Sequence, residues 1–246
     1  MAERKNWQRP EQMLALELYF ITPFGKIHSR NPDIIVLADK IGRTPGALTL
    51  KMSNFAALDP TIDRKGMGNF SKTDALIWEE FFADPVPFLD KLQSLKTTEM
   101  YYSQVESPDS SQNELREGGE VLRLQKTRRN QDFFRASLLA AYSGKCALTA
   151  ISQTELLIAS HIVPWSENKE ARVNPRNGIL LNALHDRAFD SGLITFEDNH
   201  EMVVSKELQL SEMAKPFFET CSLRAPEKFG PDPIFLKHHR DKIFVR

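Results

Sequence analysis

Two histidines and one asparagine in the second half of the chain are the residues best suited to chemistry. His161 follows a short apolar run, Asn177 precedes a glycine and a second apolar run, and His185 lies in a segment of helical pattern. A neutral imidazole can accept a proton near physiological pH, and imidazole also binds divalent metals. A single histidine is more often an ordinary polar residue, so the prediction of a functional site rests on finding the three residues in this order.

Strand, loop, strand and helix are the elements predicted to position these residues. Residues 156–159 and 178–181 are short apolar runs of strand type. Residues 182–189 have a helical pattern, and 192–196 read as a strand that leaves the helix. Ahead of them, residues 120–142 alternate basic and apolar side chains as an amphipathic helix does.

The residues around this pattern resemble the HNH endonuclease family. The similar phrases are an Ala-Ser-His-Ile segment ending at Ile162, the Asn177-Gly178 pair, a helix with His185 followed by Phe189-Asp190, and Gly144-Lys145-Cys146 before the first strand. They resemble most closely a bacterial subgroup related to restriction endonucleases. The resemblance runs from about Arg128 to the C-terminus, where residues 233–244 are similar to the tail of such proteins.

The resemblance implies a ββα-metal domain, in which two antiparallel strands and a helix hold one divalent ion, Mg, Mn, Ni or Zn. Phosphodiester hydrolysis needs a base to activate water and a cation to stabilise the developing charge. The resemblance implies His161 as the base, Asn177 as a brace of the metal loop and His185 as a metal ligand. Asp190 could equally cap a turn after the helix. The candidates for the remaining ligands are Ser160, Asp186 and Asp190.

The first third of the chain is predicted to be helical. Helical runs occupy residues 11–19, 31–42, 44–59 and 71–84, and a glycine-containing turn joins the second to the third. Two helices joined in this way are a helix-turn-helix candidate, although such pairs are also common in proteins that never touch DNA. The polar residues proposed to contact DNA are Arg43, Thr44, Thr49, Lys51 and Asn54 here, and Arg128 and Arg129 in the basic helix.

Composition limits the class of protein. The 32 basic and 33 acidic side chains nearly cancel, so a DNA-binding surface has to be a local basic patch. Two distant cysteines, Cys146 and Cys221, do not suit a disulfide-rich secreted scaffold. No run is long and apolar enough for a signal peptide or a membrane span, so the sequence predicts a cytoplasmic protein with no membrane partner.

Together these features predict an α+β protein with a helical N-terminal module and a C-terminal nuclease domain. The predicted boundaries are residues 1–96 for the module, 97–119 for a flexible linker and 120–246 for the nuclease. The expected task is restriction of foreign double-stranded DNA, with or without modified bases, by a homodimer or by sequential nicking of the two strands. Two alternatives stay open at this point: a DNA-binding regulator with an inactive HNH-like domain, and an RNA-directed nuclease or toxin.

Overall fold

The N-terminal half of the protein is helical. The computed structural model describes residues 6–62, 69–104, 118–209, 212, 215–218 and 222–245, with the backbone alone at 98–104 and 118–123. The helices of this half are α1 (Arg9–Ile21), α2 (Pro32–Lys40), α3 (Pro45–Ala56), α4 (Lys72–Ala83) and α5 (Pro85–Gln104).

Local capping signals set the starts of these helices. The Asn31 side chain accepts a hydrogen bond from the Asp33 backbone N–H at 2.9 Å, and Pro32 occupies the first helical position. Ser71 and Asp74 cap each other's backbone N–H groups at the start of α4. The predicted helices at these positions are confirmed. Gly42, at φ 63°, makes the turn between α2 and α3, where residues with a side chain are rarely tolerated.

Helix α5 was not predicted, and it enters the segment expected to be a linker. Residues 97–104 continue α5, and Gly118 begins the next helix. The remaining residues of the predicted linker, 105–117, lie outside the described part of the chain. The division into two domains stays a prediction.

The C-terminal half contains the small sheets. Its elements are α6 (Gly118–Ala141), β1 (Leu157–His161), β2 (Gly178–Asn182), α7 (Ala183–Asp190), β3 (Ile194–Phe196), β4 (Met202–Val204), α8 (Lys206–Gln209) and α9 (Pro233–Lys242). β1 pairs with β2 in antiparallel fashion, with His161 opposite Gly178, and β3 pairs with β4. The predicted order of strand, loop, strand and helix is confirmed.

Buried aromatic side chains connect the two halves. Phe20 of α1 lies against Phe133 of α6, with ring centroids 5.6 Å apart, and stacks on Phe229 at 4.7 Å. The neighbouring Lys228 is fully buried, and its ammonium group donates hydrogen bonds to the backbone carbonyls of Tyr19 and Thr22 near the end of α1. Burial lowers the pKa of Lys228 to about 7. One hydrophobic core therefore runs from α1 to the C-terminal segment.

The fold is a helix-rich mixture of α and β structure with two small sheets, in agreement with the predicted α+β class. Among the described residues, no helix combines the length and the apolar composition that a membrane crossing requires.

Candidate active site

His161 ends β1, and its ring is held on one face and at one nitrogen. The ring stacks on Phe134 of α6, with centroids 3.9 Å apart and planes 12° from parallel. Its Nε2 lies 2.9 Å from the backbone carbonyl oxygen of Arg172. Because a carbonyl only accepts, Nε2 carries the proton and donates, which leaves the Nδ1 lone pair as the acceptor. Among the described residues nothing forms a hydrogen bond to Nδ1. Burial lowers the pKa of His161, and the Arg172 carbonyl partly opposes this.

Gly178, opposite His161 on β2, makes room for this stacked arrangement. A Cβ at position 178 would lie 2.6 Å from ring carbon Cζ of Phe134 and 2.6 Å from Cδ1 of Leu138. The backbone there is extended, at φ −145°, so the requirement for glycine is steric. Phe134 can lie flat against the strand end only because position 178 has no side chain.

Asn177 connects the two ends of the loop between β1 and β2. Its side chain is buried, its Oδ1 accepts from the Val163 N–H at 2.8 Å, and its Nδ2 donates to the carbonyls of Val163 at 3.1 Å and Ala171 at 3.2 Å. Ala171 directly precedes Arg172, whose carbonyl holds the His161 ring. Asn177 therefore fixes the backbone on which the orientation of His161 depends.

Two carboxylates of α7, Asp186 and Asp190, are candidate metal ligands, and Asp186 lies against the end of β1. The Ser160 hydroxyl, which is buried, donates a hydrogen bond to Asp186. Asp190 follows one helical turn later on the same face. Burial and the charge of Asp186 both raise the pKa of Asp190. Two carboxylates and a hydroxyl are oxygen ligands of the kind that Mg²⁺ prefers, with water and substrate phosphate filling the other positions.

His185 has its ring on another side of α7. Its Nδ1 lies 3.0 Å from Oδ1 of Asn182, and its Nε2 lies 3.0 Å from the carbonyl oxygen of Phe217. Burial lowers the pKa of His185. Each nitrogen has an acceptor oxygen at 3.0 Å; the neutral ring can donate to only one of them, and the two oxygens lie where a metal ion would have to approach. The structure brings Ser160 and Asp186 together and leaves His185 apart from them. Within the described residues, no group of three His, Cys, Asp or Glu side chains is placed to hold a metal ion.

The polar side of α3 differs from the expectation. Lys51 was expected to face solvent, but it is buried, and its ammonium group lies 2.8 Å from both carboxylate oxygens of Asp74. Asn54 is also buried. Their expected exposure was wrong, and for the lysine the cause is its ion pair with Asp74 of α4, 23 residues away. Leu50, by contrast, is an exposed apolar residue of this helix.

The other residues proposed to contact DNA occupy varied positions. Arg43 donates to Glu11 at 2.6 Å, Thr44 caps α3 through its side chain, and the Thr49 hydroxyl donates to the Pro45 carbonyl. In α6, Arg129 pairs with Asp90 at 2.6 Å, whereas Arg128 is exposed. Contact of these residues with DNA stays a prediction.

His239 is a residue whose position the sequence did not indicate. It lies in the C-terminal segment 233–244, and only 1% of it is exposed. Its Nε2 donates to the carbonyl of Phe189 at 3.1 Å, its Nδ1 accepts from the Thr195 hydroxyl at 2.9 Å, and its ring stacks on Phe189. These partners lie 44 and 50 residues away, and no local sequence signal predicts such contacts.

The comparisons with known proteins concern the same part of the chain. No curated protein matches the chain. Residues 146–197, which contain β1, β2, α7 and β3 and with them His161, Asn177 and His185, match the family model HNH_2, described as HNH endonuclease. This match supports an HNH endonuclease domain in the C-terminal half and, with it, a nuclease activity of the hydrolase class.

Proposed function

We propose that this protein is a metal-dependent DNA endonuclease that restricts foreign DNA, with His161 as its general base. The observation that carries the proposal is the difference in hydrogen bonding between the two nitrogens of the His161 ring. Its Nε2 is engaged with the Arg172 carbonyl at 2.9 Å, and its Nδ1 has no hydrogen-bond partner among the described residues. A general base needs one nitrogen that orients the ring and one that accepts the proton.

The environment of His161 suits the role of a base at neutral pH. Burial lowers its pKa, so the ring is neutral and able to accept a proton from water. After proton transfer, the Nε2–H bond to the Arg172 carbonyl stabilises the charged ring. Asn177 holds this carbonyl in place through its bond to Ala171, which gives the asparagine a positioning role.

The donor set near Ser160 fits a hard divalent cation. We propose Asp186 and Asp190 as its ligands, with the Ser160 hydroxyl orienting Asp186. Burial and, after it, the charge of Asp186 raise the pKa of Asp190, and a bound cation would favour the charged form of both carboxylates. Such an ion would stabilise negative charge on the phosphorane and on the leaving oxygen. His185, predicted as a ligand, has an acceptor oxygen 3.0 Å from each ring nitrogen, which leaves no open approach for a metal, so we assign it to orienting the first turn of α7.

The proposed target is double-stranded DNA, and a double-strand break would need two such sites. A single site of this kind acts on one strand, so we propose a homodimer or two successive nicks. The N-terminal helical half would select the target, because contacts between a nuclease and the DNA backbone carry no sequence information. The proposed place of action is the cytoplasm, where foreign DNA is met.

Plasmid cleavage tests the proposal. The purified full chain is incubated with unmodified and base-modified plasmid, with Mg²⁺, Mn²⁺, Ni²⁺ or a chelator. We expect cleavage that requires a metal and that falls by about 10²- to 10⁴-fold in His161→Ala, the usual contribution of general acid–base catalysis. Asp186→Asn should raise the metal concentration needed for half-maximal cleavage, whereas His185→Gln should mainly lower thermal stability.

His28→Ala is the matched control, because His28 is exposed and lies in the N-terminal half. It should cut like the original protein. Cleavage that persists in His161→Ala would contradict the assigned base. Binding of duplex DNA without any cleavage would favour a DNA-binding regulator, and preferential cleavage of structured RNA would favour an RNA-directed nuclease.

A further inference from the structure

The side chain of Arg172 lies close to the candidate base, and the proposed cleavage chemistry uses only its backbone. The Arg172 carbonyl oxygen orients the His161 ring, 2.9 Å from Nε2. The guanidinium carbon of the same residue lies 5.2 Å from the centre of a Trp165 ring. The Trp165 indole is in turn nearly perpendicular to the His161 ring, with centroids 5.4 Å apart. The guanidinium and the base therefore pack against the same indole.

The Arg172 guanidinium is held at one nitrogen and open at the other two. Its Nε donates to the backbone carbonyl of Trp165 at 2.6 Å. In the part of the chain that the structure describes, Nη1 and Nη2 have no hydrogen-bond partner, and the side chain pairs with no carboxylate. The residue is half-buried, and neither terminal nitrogen is among the enclosed polar atoms that lack a partner. Solvent therefore reaches a guanidinium whose orientation is already set.

Other arginines of this structure use their terminal nitrogens to stabilise the fold. Arg135 donates through Nη1 and Nη2 to two backbone carbonyls, and Arg224 donates through Nη2 to two. Arg129 donates through Nη2 to the Asp90 carboxylate at 2.6 Å. Arg172 differs because only its inner nitrogen is bonded to the protein. Bracing the loop between β1 and β2 accounts for that inner bond and leaves the terminal pair without a role.

A terminal pair of this kind suits a phosphodiester. The two nitrogens of the planar fork match two phosphate oxygens, and the bonds are charge-assisted. A guanidinium also stays charged at every pH at which proteins are folded. Because the Trp165 carbonyl and indole already hold its plane, little side-chain entropy is lost when a phosphate binds.

We propose that the Arg172 guanidinium binds a backbone phosphate of the DNA strand that is cut, at the scissile bond or beside it. The inference rests on the proposed function, since it takes DNA as the substrate, and it names a residue that places the strand against the base. The carbonyl of Arg172 orients His161 while its side chain holds the strand. Both contacts come from one residue, so the distance between the base and the held phosphate varies little, as precise positioning requires.

DNA binding without cleavage tests this assignment. The full chain is titrated into a fluorescein-labelled DNA duplex with a chelator, and fluorescence anisotropy is read at several salt concentrations. We expect Arg172→Gln to weaken binding by about tenfold, the size of one hydrogen-bonded contact to a charged group. The plot of log affinity against log salt concentration should become shallower by about one, because one phosphate contact is lost.

Arg172→Lys is the second variant, and urea unfolding shows that each variant is folded. Lysine keeps the charge and loses the fork, so we expect weaker binding with the salt dependence of the original protein. Cleavage provides a separate readout. Each substitution keeps the backbone carbonyl that orients His161, so the pH dependence of cleavage should stay the same. The DNA concentration needed for half-maximal cleavage by Arg172→Gln should rise about tenfold.

Arg30→Gln is the matched control. It removes the same charge from an exposed arginine whose side chain has no partner among the described residues. This variant should bind like the original protein. The inference is overturned if both Arg172 variants bind as tightly as the original, if Arg30→Gln loses as much affinity, or if Arg172→Gln changes only the pH dependence. A protein that binds DNA without cutting it leaves the binding result valid, whereas a protein that does neither overturns the proposed function as well.

Discussion

Two histidines in the C-terminal half are held in nearly the same way, at the end of β1 and on α9. The His161 ring stacks on Phe134 at 3.9 Å, and the His239 ring stacks on Phe189 at 3.8 Å. In both, Nε2 donates to a backbone carbonyl, that of Arg172 or of Phe189. Burial lowers the pKa of both rings.

The difference between them lies at the second nitrogen. The Thr195 hydroxyl donates to Nδ1 of His239, which is almost fully buried. His161 is only half-buried, and its Nδ1 has no such partner among the described residues. A stacked ring with Nε2 bonded to a backbone carbonyl is therefore structural at His239 and gives a candidate base at His161. The Thr195 hydroxyl and the deeper burial of His239 separate the two residues.

The largest effect that would test this comparison is the loss of stability in acid. Burial lowers the pKa of His239 from 6.5 to about 4, so the unfolded chain binds a proton at a pH where the native protein does not. The contribution is fully present above 6.5 and is lost as the pH falls towards 4, by about 3 kcal/mol in all. Urea unfolding of the original protein and His239→Gln, near neutral pH and near pH 4, measures it. An equal acid sensitivity in both proteins would show that His239 is not held neutral.

A smaller effect is expected from displacing Phe134, the ring on which His161 stacks. Gly178→Ala would force Phe134 away from the strand end, since the added carbon would lie 2.6 Å from its ring. We expect a loss of about 1–3 kcal/mol in unfolding free energy, as for other overpacked sites, together with slower cleavage. Gly46→Ala is the control, because nothing lies within 4 Å of its added carbon in α3. If the two alanine variants are equally stable, Gly178 does not support the stack.

The smallest effect is expected from making the two histidines more alike. Thr195→Val removes the hydroxyl and leaves Nδ1 of His239 without its donor. A cost of about 1 kcal/mol in unfolding free energy is expected for this hydrogen bond, measured by thermal or urea unfolding. Cleavage should be unchanged, because the His239 ring keeps its stacking on Phe189 and its bond to the Phe189 carbonyl. A large loss of cleavage would mean that His239 supports the active site.

Features with a local cause could be predicted from the sequence, and features with a distant cause could not. The caps at Asn31 and Ser71 act within three residues, and the sequence shows them directly. The burial of Lys51 depends on Asp74, and that of His239 depends on Thr195, so neither is visible in a short window.

The candidate site shows the same limit. The spacing of His161 and Asn177 on a strand and a loop predicted their neighbourhood, and the structure places them around one loop. The direction of His185 was not predictable, because successive helical residues point about 100° apart and pattern alone does not say which one meets the strand. The neighbouring Asp186 meets Ser160 instead.

The buried lysine that joins the two halves has a consequence for where cuts fall. Lys228 holds the end of α1 through the carbonyls of Tyr19 and Thr22, and Phe229 stacks on Phe20 beside it. Under the proposed function, the part that reads DNA and the part that cuts it cannot swing independently, as they could on a free tether. Every cut would then fall at a constant number of base pairs from the sequence that the N-terminal half selects.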